Sequence, residues 1–249
     1  MKKNILLGVF LVLCLSACNN KPQVDDNEEL VACENDKCPD RSDMLRDKSD
    51  DKCVHEYVDL GLPSGTKWAK CNIGATTETD YGDYFAWGEI KPKKEYTKDN
   101  YTVAKIVKLP DSTYVDNDGF THTIEGKEIS DIAGTIYDAA TANWGKGWSM
   151  PTKEQFKELL DKCQWEWVSK NGVNGYKVTG PNGKYIFLPA AGFRYGTETD
   201  NVGFDGSYWS SSLYSDYTDL VWGLYFSSGG HSVDDADRCF GQSVRAVRP

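Results

Sequence analysis

The sequence predicts an α+β domain of short, mainly antiparallel strands with one main amphipathic helix at about residues 153–163, preceded by a disordered tether. Three observations carry this expectation. After Cys53, short β-rich runs alternate with Gly, Asn and Asp turns. One stretch, Pro151–Cys163, has the apolar spacing of a buried helical stripe. Before Cys53 the chain is polar and acidic, with too few apolar residues to offset the entropy of ordering it.

The first element is a leader. Lys2 and Lys3 precede an almost wholly apolar run, Ile5–Leu15, and then small residues, which is the layout of a secretory signal peptide over residues 1–17. The run is too short to cross a bilayer stably. The following "LSAC", Leu15–Cys18, resembles a bacterial lipobox, in which the cysteine is acylated and the chain is cut just before it. Cys18 is therefore the expected lipidation site. Palmitate-type chains stabilise membrane attachment by about 0.8 kcal/mol per buried methylene, so several of them anchor the protein without a span. The expected location is the cell envelope, at the outer membrane and facing the surface.

Residues 18–52 form the lipidated N-terminus and an acidic tether. From Asn19 to Lys52 there are eleven acids and six bases. As a flexible coil this segment would reach about 30 Å, and charge repulsion would extend it. Its "VDDNEE", Val24–Glu29, resembles the surface-export signals that follow the lipidated cysteine in some Gram-negative gut anaerobes. The whole chain carries a formal charge of −10, and removing the leader takes away two lysines and no acid. Such a balance makes nucleic acid and anionic lipid headgroups poor partners.

All 8 tryptophans and all 14 tyrosines lie after Cys53, and residues 53–249 have a length that suits one domain. "YKVTGPNGKYIFL", Tyr176–Leu188, reads as a hairpin turning at Gly180–Gly183. "DLVWGLYFSSGG" and "GQSVRAVRP" are further strand candidates. In the helix, Thr152 and Gln155 have the spacing of a capping box, and Phe156, Leu159, Leu160 and Cys163 fall on one buried stripe.

Several motifs then converge. "YVDLGLPSGTKWAKCNIGA", "YGDYFAWGE", "YDAATANWGKGWSMPTKEQF", "NGVNGYKVTGPNGKYIFLPAAGFR", "YWSSS" and "GQSVRAVRP" occur in this order across nearly all of residues 53–249. Together they resemble the Fibrobacter succinogenes major paralogous domain. The resemblance implies a C-type-lectin-like fold, related in architecture to formylglycine-generating enzymes and common in surface lipoproteins of gut bacteria.

Catalytic readings find little support in the residues. Cys239 lacks the nearby second cysteine of a formylglycine-type oxidase. His55, His122 and His231 are dispersed and show no ligand spacing. Ser210, Ser211 and Ser212 in "YWSSS" have no nucleophile elbow, and are expected to satisfy neighbouring backbone. "YVDNDGFTHTIE", Tyr114–Glu125, places Asp116, Asp118, Gly119 and Glu125 at four positions of a calcium loop but begins with Tyr114. A hairpin turn at Asp116–Gly119 is the preferred reading. "DNVGFDG" and "VDDAD" are further sources of oxygen ligands. No catalytic residue, metal or cofactor is assigned.

The function expected from the sequence is a non-catalytic binding or adhesion module for a glycan or protein, held to a membrane through Cys18. A structural envelope or assembly component and an enzyme of unrecognised type are the alternatives. Trp165 and Trp167, two apart in a strand-like run, are read as pointing to opposite faces, which leaves one as a ligand-stacking candidate.

Six cysteines remain beyond Cys14 and Cys18. The lectin-like resemblance implies that first and last strands lie side by side, and so a bridge between Cys53 and Cys239. A bridge between Cys71 and Cys163 stays open against two separate buried thiols, and Cys33 with Cys38 would close a small loop in the tether.

Overall fold

The computed structural model describes residues 53–117, 119–214 and 217–249. The leader, Cys18, the tether and the Cys33–Cys38 pairing lie outside the described residues. The described chain is mostly antiparallel β-structure with few helices.

β1 (Tyr57–Asp59) and β2 (Lys67–Ala69) form a hairpin, and the last strand, β13 (Val247–Arg248), joins β2 on its other edge. Trp68 thus faces both Val58 and Val247 across the ladder. The first and last strands share a sheet but do not pair, because β2 lies between them. This corrects the expected Cys53–Cys239 bridge. Cys53 and Cys71 flank the open end of the β1–β2 hairpin and bond to each other, with α-carbons 5.8 Å apart. Cys163 and Cys239 are free thiols, so the Cys71–Cys163 bridge is excluded as well.

β3 (Ser112–Val115) and β4 (Thr121–Ile124) pair as an exposed hairpin, which is the preferred reading of the calcium-loop stretch. α1 (Ala139–Trp144), not anticipated, is capped by Asp138, whose carboxylate accepts from the Ala140 and Thr141 amides. Among the described residues, α2 (Lys153–Lys162) is the longer helix. Its capping box is complete: the Thr152 hydroxyl accepts from the Gln155 amide and the Gln155 side chain from the Thr152 amide. Phe156 and Leu159 are fully buried on the predicted stripe, each contributing about 2 kcal/mol by removal from water. Cys163 sits one residue beyond the helix as its C-cap.

β5 (Gln164–Lys170), β6 (Val173–Thr179) and β7 (Tyr185–Pro189) form a meander, and the β6–β7 turn is the predicted one. Here the Gly180 amide bonds the Lys184 carbonyl, and Gly183 takes a φ of 81° that a side chain rarely adopts. β8 (Phe193–Tyr195) and β9 (Glu198–Asp200) make a short pair. β10 (Asp205–Leu213), β11 (Leu220–Ser227) and β12 (Gly230–Asp237) make a second meander. Of "GQSVRAVRP" only Val247 and Arg248 are regular strand; the preceding residues make single bridges to Phe85, Arg194 and Tyr208.

Two apolar clusters fill the interior. One gathers α2, β6, β7 and one face of β10–β11 around Trp68, Tyr176, Tyr208 and Phe226. The other packs Phe85, Trp87, Ile132, Trp148 and Trp209. Long irregular segments around them are tied down by arginines. Arg238 donates to the Tyr101 hydroxyl and to the carbonyls of Ala104, Lys105 and Thr218, with its guanidinium 4.7 Å from the Trp87 ring centroid. Fully buried Arg245 donates to the Ala69, Lys70 and Phe187 carbonyls and to Asn72 Oδ1.

Candidate functional site

Alternation along β11 separates two faces. Leu224 and Phe226 enter the first core cluster, so Tyr225 and Ser227 point the other way. On the neighbouring strands Ser207 and Asp205 pair with Tyr225 and Ser227 from one side, and Ser232 pairs with Tyr225 from the other. This face forms the floor of an open groove of about 640 Å³, walled by Phe193 and Phe240. Those two rings stack at 5.8 Å, and Tyr195, half-exposed on β8, meets Phe240 edge-on at 5.3 Å. The wall is fixed by a bridge of Arg194 to Gly241, and Gly192 pairs with Gly206 beside it.

The polar groups of the groove are held in place. Gln242 is almost wholly buried, and its backbone bonds Phe85 in both directions. Its Nε2 donates to the Tyr225 hydroxyl at 3.0 Å. Burial drives the Tyr225 phenol far above its ordinary range, against the Gln242 hydrogen bond and with help from Asp234 and Asp235, so it is a neutral donor and acceptor at neutral pH. Asp205 Oδ2 accepts from Asn201 Nδ2 at 2.8 Å. His231 lies flat on Trp165 at 4.4 Å, and burial lowers its pKa below 6.5, keeping it neutral near pH 7. The titratable groups therefore engage three separate partners: Asn201, Gln242 and Trp165. Gly206 keeps this end of the sheet thin. A Cβ there would fall 2.0 Å from Phe226 Cζ, so the core ring occupies the space a side chain would need.

Trp165 and Trp167 do not lie on opposite faces. Residues two apart on a strand share a face, because the side-chain period is two. Both pack against the Tyr176 ring, at 5.3 and 5.2 Å, and support the first core cluster. Trp165 also donates its indole N–H to the Leu159 carbonyl. Its connection to the groove runs through His231.

The remaining sequence candidates disperse. Ser210 and Ser211 donate to the Trp222 and Pro151 carbonyls as expected, whereas Ser212 donates to the Asp131 carboxylate. His55 packs edge-on to Trp144, and His122 contacts the Asp116 carboxylate at 2.6 Å. Among the described residues no three His, Cys, Asp or Glu side chains come together as a metal-holding group. Burial pushes the Cys163 thiol up to about 11 and raises that of Cys239. Cys239 lines a smaller cavity of about 220 Å³ with Tyr101, Asp237 and Arg238.

Sequence reasoning did not single out Phe193, Ser207, Tyr225, Phe240 or Gln242. It reached Asp205 only as a generic oxygen donor in "DNVGFDG". The available signal was the alternation of "LVWGLYFS", which puts Tyr225 opposite Leu224 and Phe226.

A family described as Domain of unknown function (DUF8237) matches residues 162–247. The match lies within the C-terminal half of the chain and contains every residue that lines the groove. No curated protein and no solved structure matches the chain.

Proposed function

We propose that this protein is a membrane-anchored bacterial lipoprotein whose C-terminal domain, residues 53–249, is a non-catalytic module that binds a glycan. Acylated Cys18 holds it at the outer membrane, and the acidic tether carries the lectin-like domain away from the bilayer at the cell surface. The lipobox-like "LSAC", the composition of the tether and the likeness to the Fibrobacter succinogenes major paralogous domain support the anchoring and the fold assignment.

The observation that carries the binding reading is the groove over β10–β12. Sugars present apolar C–H faces and hydroxyl edges at once. The groove offers the matching pair, with the Phe193 and Phe240 rings above and Tyr225 and Asp205 below. A glycan-array screen of the full chain, beside pull-downs from host and bacterial extracts, tests it. Retention of a glycan that Phe240→Ala abolishes is the expected result; silence in both assays sinks the reading. For the anchor, cells fed a clickable palmitate analogue should label the wild type and not Cys18→Ser.

One observation favours a second reading, an assembly component of the envelope. The β3–β4 hairpin is exposed along both strands and carries Tyr114, Val115, Phe120 and Ile124 in the open, with Phe120 68% accessible. Exposed apolar groups of this density mark protein contacts. Stable co-purification with one envelope complex, lost on replacing Phe120 and Val115 by serine, would support that role.

A further inference from the structure

The charge of the groove narrows the ligand class. This inference rests on the glycan reading above and deepens it. Among the described residues lining the groove none is lysine or arginine. The fixed charge there is the Asp205 carboxylate at the start of β10, aimed by the Asn201 amide. Neutral His231 and the neutral Tyr225 phenol supply no compensating positive charge. Asp234 and Asp235 stand on the adjoining strand and add to the negative charge of this face.

A carboxylate without a cationic neighbour has one good use toward a sugar: it accepts hydrogen bonds from hydroxyl groups, which are charge-assisted and stronger than neutral ones. Toward an acidic sugar the same group is repulsive at contact distance, and that repulsion is screened by salt. Discrimination of this kind comes from the penalty on the wrong ligand as much as from contacts to the right one. We infer that the groove recognises uncharged saccharides and rejects sialylated, sulfated and uronate-bearing ones, with Asp205 as the discriminating residue. Phe193 and Phe240 hold the apolar face of a pyranose, Asp205 takes its hydroxyls, and Gln242 fixes the Tyr225 phenol beneath it.

The test uses the full-length protein on an array printed with neutral oligosaccharides beside their sialylated, sulfated and uronate-bearing counterparts. The wild type should retain neutral members at least about tenfold better than matched acidic ones. Asp205→Asn keeps an acceptor oxygen for the Asn201 amide and should cut that preference to under about threefold, mainly by gaining acidic members. Asp205→Glu should keep it. A salt series on the wild type needs no variant to fold, and the preference should shrink between about 0.05 and 0.5 M as the charge is screened. Equal or better retention of acidic members overturns the inference and leaves the glycan reading standing. So does a preference that survives Asp205→Asn, or one that high salt leaves unchanged. Retention of no glycan at all removes the glycan reading, and the inference with it.

Discussion

Arg245 shows how a single side chain is set by burial rather than by ion pairing, and His231 how a stacking partner sets a ring that stays exposed. Arg245 is enclosed with no carboxylate among its hydrogen-bond partners, and burial lowers its pKa to about 10, so it remains charged at neutral pH. Its guanidinium instead joins three carbonyls and an amide oxygen from segments distant in sequence. Arg245→Met removes all the donors and strands those acceptors, at about 1–3 kcal/mol each before relaxation. We predict a loss of at least about 3 kcal/mol in urea unfolding; a loss under about 1 kcal/mol contradicts the pinning role. His231 gives a pH dependence with a defined sign. Its folded pKa lies below 6.5 because partial desolvation on the face stacked against Trp165 disfavours the cation, so the unfolded chain takes up the proton first as pH falls. The stability it contributes is complete above pH 6.5 and is lost as pH drops through 6.5 toward the folded value. His231→Phe keeps a stacking ring and cannot titrate. The urea midpoint of the wild type should therefore fall further than that of His231→Phe on going from about pH 7.5 to 5.5; equal falls refute the assignment. At this scale the sequence was hardest to read. Nothing in "SVRAVRP" distinguishes buried Arg245 from half-exposed Arg248, because the distinction depends on which distant carbonyls surround each one.

Local elements were more legible, since their determinants lie within a few residues. Thr152, Gln155 and the Phe156–Leu159 stripe fixed α2 almost to its boundaries, and Gly180–Gly183 fixed the β6–β7 turn. Thr152→Ala should cost about 1 kcal/mol by uncapping α2, read from the same urea curves; no change would mean that the cap is redundant. α1 was missed because its six residues lack an amphipathic period and are held by one buried carboxylate, Asp138, which also accepts from the Met150 amide. The cysteine pairing failed for a related reason: it was inferred from the placement of distant strands, whereas the bond closes a local hairpin. With Cys53 and Cys71 separated by 18 positions in sequence, the chain-entropy model gives about 3 kcal/mol, less than a bridge spanning the domain would give. Peptide mapping under non-reducing conditions should link Cys53 to Cys71 and should be unaffected by Cys239→Ala. A peptide joining Cys53 to Cys239 would contradict the β1–β2–β13 order.

At the scale of the whole domain, the antiparallel character and the scarcity of helix were readable from turn spacing, but the groove was not. It exists because Gly192, just before β8, and Ser243 are bridged to β10 while Arg194 of β8 bridges Gly241, which brings Phe193 and Phe240 to the wall of the groove beside Tyr225. Each of those contacts joins segments that composition and periodicity leave independent. The central claim is that this face, rather than the aromatic pair Trp165 and Trp167 or the β3–β4 hairpin, receives the ligand. Amide chemical-shift mapping of the isotopically labelled protein, titrated with the neutral oligosaccharide best retained on the array, tests it most directly. The account predicts saturable shifts concentrated at Asp205–Ser207, Tyr225–Ser227 and Phe240–Gln242, abolished in Phe240→Ala. Shifts centred on the β3–β4 hairpin or along β5, with the groove unmoved, would contradict it.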